Sequence, residues 1–253
     1  MEFWLILLLA NLGVGVCVGL TGVAGFLLPI VYTGPLMMGT TQALALSFGA
    51  FVIAGVLAAL NYGKEGNLDL PFGVKLSAGS LVGAILGVRL NLVIPEEQVK
   101  TILYLVVLVS GVSILLRKDG KGELSGKKKS GYQIKEHLGA TLLLGFVTGA
   151  LCAMSGAGGP VLVMPLLVVL GIPVRMAVGV SLFNMIFISI PAFLGYLSQC
   201  FEGSLIPMLG AAFVSHGLGV WAGSLYASRI NQVLLKRGIA VFSVLIALWK
   251  LFL

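Results

Sequence analysis

The chain has 253 residues, 58% of them hydrophobic and 10% charged, with a net charge of +7. No Asp, Glu, Lys or Arg occurs from Phe3 to Gly63 or from His137 to Val174, and a bilayer core takes roughly 20 apolar residues per helix. Such a composition excludes an ordinary soluble protein and leaves no room for a separate soluble domain, while three scattered cysteines exclude a disulfide framework.

The apolar segments separate at clusters of Gly, Pro and charge. The pattern predicts helices over 3–20, 24–36, 40–61, 71–92, 98–116, 138–154, 159–170, 176–199, 205–227 and 233–252. The first carries Glu2 instead of a basic start and has no small-x-small cleavage site, so it reads as a retained helix and not a signal peptide. The segments over 24–36 and 159–170 are too short to cross comfortably, and each directly follows a glycine cluster. They are the candidates for half-helices. The hydrophilic stretch "RKDGKGELSGKKKSGYQIKE", Arg117 to Glu136, reads as a solvated cytoplasmic linker. It divides the chain into an N-terminal membrane repeat (1–116) and a C-terminal one (137–253).

The halves repeat. A shift of 134 residues puts Thr21-Gly22-Val23-Ala24-Gly25 on Ser155-Gly156-Ala157-Gly158-Gly159, Ala43 on Ala177, Ser47 on Ser181 and Tyr62 on Tyr196. With two more residues of slip, Gly83 and Gly87 fall on Gly219 and Gly223. An ordered series of this kind points to an internal duplication.

Charge decides between parallel and inverted copies. If the short segments continue the helices before them, the basic residues divide about 10 to 6 between the two faces. If they turn back, 13 of the 16 basic residues fall on one side, and only Arg89, Lys100 and Lys250 on the other. The positive-inside rule favours the second arrangement, an all-α membrane protein of two inverted repeats. Each repeat is then a broken or re-entrant first helix pair followed by three transmembrane helices. Both termini face outward and the linker lies inside.

Irregular backbone at membrane depth is tolerated only where protein or a polar cavity covers it, so each break marks a candidate site. The N–H groups that open the new helix have no intrahelical partner and carry partial positive charge. Pro160 suits a first helical turn, and the neighbouring glycines permit close backbone approach. Two such ends facing each other near the midplane suit an anion. A cation site would need carboxylates, and all nine acids lie outside the helix interiors or at their ends. No metal, cofactor or nucleic acid is therefore expected; the expected partners are a small anion and membrane lipid, with the chain a monomer or homodimer.

The paired stretches "GLTGVAGFLLPIV" and "GALCAMSGAGGPVLVMPLLV", each followed by a small-residue helix ("QALALSFGAF", "MAVGVSLFNMI"), with the exit "NYGKEGNLD" and the later "LVGAILGVRL", resemble the sulfite exporter TauE/SafE family over nearly the whole chain. The resemblance implies a secondary transporter exporting sulfite or a small organosulfonate such as sulfoacetate across the inner membrane of prokaryotes. It also implies that substrate sits between the broken first helices. The first cluster, Gly22-Val23-Ala24-Gly25, has fewer glycines than the family's usual run.

Side chains expected to assist are Thr21, Gly22, Gly25 and Ser47 in the first half. Their counterparts are Ser155, Gly156, Gly158, Gly159 and Ser181, joined by Asn184 three residues on from Ser181. The hydroxyls of Ser47 and Ser181 have an alternative in their own i−4 carbonyls, and Thr21 and Ser155 an alternative as caps of the short helices. His216, halfway along its helix, is a candidate for proton coupling, with packing as the alternative. Gln42 and Arg89 are further gating candidates; an interfacial position or snorkelling would also explain them. Two rival functions remain. A passive anion channel would use the same site, and a Ser155–His216 protease dyad would use helix amides as an oxyanion hole, although a single catalytic site has no need of the repeated cluster.

Overall fold

The computed structural model describes residues 2–22, 24–95 and 137–227, with isolated positions within 97–115 and 237–248. The helices expected over 98–116 and 233–252, those isolated positions apart, and the linker at 117–136 lie outside the described residues. The complete elements are α1 (Glu2–Thr21), a 3-10 turn (Ala24–Phe26), α2 (Leu27–Thr33), α3 (Thr40–Lys64), α4 (Leu70–Val93), α5 (Leu138–Ser155), α6 (Gly159–Val169), α7 (Val174–Cys200) and α8 (Leu205–Tyr226).

Six of these helices, α1, α3, α4, α5, α7 and α8, are long and apolar enough to cross a membrane. At ~1.5 Å per residue, α2 rises only ~10 Å and α6 ~17 Å against a hydrocarbon core of ~30 Å. Local chemistry sets the ends. Asp69 caps α4 by accepting the amide of Phe72 at 3.2 Å, with Pro71 in the first turn. Gly22 and Gly156 adopt φ of +74° and +70°, and their amides donate back to Val18 (2.7 Å) and Cys152 (3.0 Å), equivalent residues under the 134-residue shift. A residue with a Cβ is strained in that conformation, which is why glycine ends both α1 and α5.

Helices meet through small residues, and the contacts fix their senses. A Cβ on Gly15 would lie 3.2 Å from the amide nitrogen of Val220, and one on Gly19 2.7 Å from that of Ser224, so α1 and α8 run parallel. Along α4, Gly79, Gly83 and Gly87 press on the backbone of Leu142, Phe146 and Ala150, so α4 and α5 also run parallel. Gly73 meets Phe183 and Gly195 meets Val88, which sets α7 parallel to α4. Gly49 meets Phe213 while Asn61 donates to Ser224 Oγ at 2.6 Å, which sets α3 parallel to α8. Between α3 and α7 the order reverses, Gly55 meeting Ile186 and Gly179 meeting Tyr62. Thus α1, α3 and α8 point one way, and α4, α5 and α7 the other.

Because α1 and α3 share a direction, the chain between them has to return, and α2 carries it back. The Tyr32 hydroxyl donates to Asn11 Oδ1 at 2.9 Å, joining α2 to α1 well before the turn at Gly22. The same holds for α6 between α5 and α7. The turns lie deep in the bundle: Gly25 packs on Phe51, the twelfth residue of the 25 in α3, and Gly159 on Met185, the twelfth of the 27 in α7.

Candidate functional site

The two turns meet. A Cβ on Gly22 would lie 3.1 Å from Val178 and 3.7 Å from both Leu182 and Pro160, so the first turn touches α7 and the start of α6. Reciprocally, Gly156 faces the side chain of Leu44 and, at 3.3 Å, Pro29 of α2. Leu44 and Val178 are equivalent under the 134-residue shift, as are Phe51 and Met185, the neighbours of Gly25 and Gly159. Each half therefore wedges its turn against the long middle helix of the other. Thr21, Ser47, Ser155, Ser181 and Asn184 are all fully buried.

The two turns differ in what they can offer a ligand. The helix α6 opens cleanly: Gly158 is its N-cap at φ +73°, no side chain caps it, and Pro160 occupies the first turn. The first half instead begins with a 3-10 turn and leads into only seven α-helical residues. The longer run of aligned dipoles is therefore at α6.

Hydroxyl protons at the site are committed to backbone. Thr21 donates to Cys17 O (2.8 Å), Ser155 to Leu151 O (2.7 Å), Ser47 to Ala43 O (2.7 Å) and Ser181 to Val178 O (2.9 Å). Thr21 and Ser155 both close the last turn of the helix before, while Ser155 Oγ also accepts the Ala157 amide at 3.4 Å in the turn that leads to α6. Asn184 differs. Neither Oδ1 nor Nδ2 has a hydrogen-bond partner, although the residue is fully buried on α7. Unpaired buried amides are rare in folded proteins because each orphaned group costs ~1–3 kcal/mol.

His216, on α8, is one ring removed from the turns. Its Nδ1 lies 3.0 Å from Asn11 O, Nε2 has no partner, and the ring centroid is 6.2 Å from that of Phe51. No Ser–His dyad forms in this arrangement, since Ser155 Oγ is engaged with Leu151 and His216 Nε2 with nothing. Gln42, the third residue of α3, is half-buried and well before the depth of Phe51. Arg89 is exposed on α4. The structure does not bring these two together with the turns.

Several residues that shape the site went unread in the sequence. Asn91 Nδ2 donates to Met154 O at 2.6 Å and the Tyr196 hydroxyl to Ala153 O at 2.8 Å, satisfying carbonyls at the end of α5 that have no intrahelical partner. Tyr196 carried a signal, its match to Tyr62 in the repeat. Asn11, Tyr32 and Phe51 carried none beyond a polar or aromatic side chain in an apolar run.

Comparison with known proteins gives a consistent picture. The family model described as sulfite exporter TauE/SafE matches residues 7–249. A probable membrane transporter protein of Bacillus subtilis (strain 168), YdhB, is 23% identical over 257 residues, covering 98% of this chain and 100% of that protein. A probable membrane transporter protein of Haemophilus influenzae (strain ATCC 51907 / DSM 11121 / KW20 / Rd) is 25% identical over 267 residues, covering 97% of each. No solved structure matches the chain.

Proposed function

The chain belongs to the sulfite exporter TauE/SafE family, and from that premise we propose that it is a secondary transporter exporting a small oxyanion, sulfite or an organosulfonate such as sulfoacetate. It is a multi-pass membrane protein of a transporter family. The observation that carries the finer reading is the reciprocal contact of the two turns at mid-bundle, with Asn184 buried and unpaired on α7, one residue before the Met185 that packs on Gly159. The partial positive charge at the start of α6 and the unpaired Asn184 carboxamide favour a desolvated anion. Charge-assisted hydrogen bonds of this kind contribute ~1.5–3 kcal/mol each, and a partly buried helix terminus up to ~2 kcal/mol.

Opposed senses of α1 and α5, of α3 and α7, and of α4 and α8 support the inverted-repeat reading. Exchange of the two halves' conformations then converts an inward-open carrier into an outward-open one, with the turns as the fixed point. By the positive-inside rule the basic linker faces the cytoplasm and both termini lie outside the inner membrane. A cysteine at the linker position Ser125 (Ser125→Cys, in a background lacking Cys17, Cys152 and Cys200) should resist an impermeant maleimide in intact spheroplasts and react after lysis. Labelling in intact spheroplasts would reverse the orientation.

Counterflow separates carrier from channel. Proteoliposomes loaded with unlabelled sulfoacetate and given a trace of labelled sulfoacetate outside should accumulate label above equilibrium, then lose it. Rapid equilibration without overshoot would make the protein a channel, and no uptake of sulfoacetate or sulfite would remove the sulfur assignment.

A further inference from the structure

Phe51 occupies the place between the two turns. A Cβ on Gly25 would lie 3.1 Å from Cε1 and 3.2 Å from Cζ of its ring, while one on Gly158 would lie 3.5 Å from Cε2 and 3.7 Å from Cδ2. One edge of a single ring thus faces the first turn and the opposite edge faces the second. The side chain is fully buried, its ring edge-on to Phe48 at 5.7 Å and tilted against His216 at 6.2 Å. Anything held between the turns has to take the position of this ring.

We propose that Phe51 is the gate of the site and the residue that limits the size of the anion accepted. The inference rests on the reading of the paired turns as an oxyanion site, and adds to it the determinant of substrate size. Glycine on both flanks leaves the ring free of Cβ atoms on either side, so rotation about its own side-chain torsions moves it out without displacing backbone. The repeat-related residue is Met185, packed on Gly159 through its Cα. An unbranched methionine adapts to an irregular space, whereas an aromatic ring keeps its shape as it turns, so the size limit comes from the first half.

The test compares uptake of sulfite, methanesulfonate and butanesulfonate into proteoliposomes for the parent, Phe51→Leu and Phe51→Met. Phe51→Met places at the gate the residue type already packed at the equivalent position, which guards against loss of the fold. Both variants should raise the butanesulfonate-to-sulfite uptake ratio at least tenfold. A ratio unchanged from the parent, with all three anions scaled together, would overturn the gate while leaving the anion site standing. Failure of the parent to take up any of them would overturn the anion site and the gate with it.

Discussion

Gly83→Ala should abolish accumulation of folded protein in the membrane, the largest effect expected of a glycine-to-alanine change among the described residues. A Cβ at position 83 would run into the backbone carbonyl of Phe146, and the flanking contacts of Gly79 with Leu142 and Gly87 with Ala150 leave α4 no room to slide. The seam is reinforced by Ser80 Oγ donating to Gly145 O at 3.0 Å. In a bilayer, helix association comes from close packing and interhelical hydrogen bonds, because lipid tails solvate apolar side chains as well as a neighbouring helix does. Overpacking costs ~1–3 kcal/mol even in yielding cores, and here the obstacle is backbone. Gly13→Ala and Gly210→Ala are the controls: nothing lies within 4 Å of either Cβ position. Replacing these helical glycines should stabilise by ~0.5–1 kcal/mol. Size-exclusion profiles of detergent extracts check all three, and a monodisperse Gly83→Ala protein at parental yield would show that the α4–α5 seam opens freely.

Asn184→Leu should make the protein more stable and inactive. The parent buries a carboxamide whose two polar atoms are both unpaired, and a branched apolar side chain removes that cost of ~1–3 kcal/mol per group. Stability gained by deleting a residue that transport needs is the usual sign of a binding group held ready for a ligand. Ser181→Ala, one turn earlier, deletes a hydroxyl already satisfied by Val178 O and should change sulfoacetate affinity less. A lowered melting temperature for Asn184→Leu would make the residue a structural one.

Much of the architecture was legible because a bilayer imposes it. Continuous apolar runs gave the long helices to within three residues at each end, and the repeated glycine clusters marked both turns. Side-chain contacts were less legible, for physical reasons. The Tyr32–Asn11 hydrogen bond joins residues 21 apart and exists only once α2 folds back along α1. Thr21 and Ser155 sit at the border of two helices, where a hydroxyl can donate back into the last turn while its oxygen accepts from the chain ahead, as Ser155 does from Ala157. The inequality of the two turns was hinted at by the sparser first glycine cluster, but not the 3-10 start of the first half-helix. Phe51 sits in "SFGAF", a string that reads as packing until both turns are seen on either side of its ring.

The most direct measurement is ligand-induced stabilisation of the purified protein by sulfoacetate, sulfite and acetate, run side by side on the parent and Asn184→Leu. Sulfoacetate and sulfite should raise the melting temperature of the parent and acetate much less, with Asn184→Leu weakened at least ~10-fold in apparent affinity, the equivalent of ~1.4 kcal/mol. Equal stabilisation of both proteins would place the anion away from the paired turns, and a response to acetate alone would end the sulfur-oxyanion assignment.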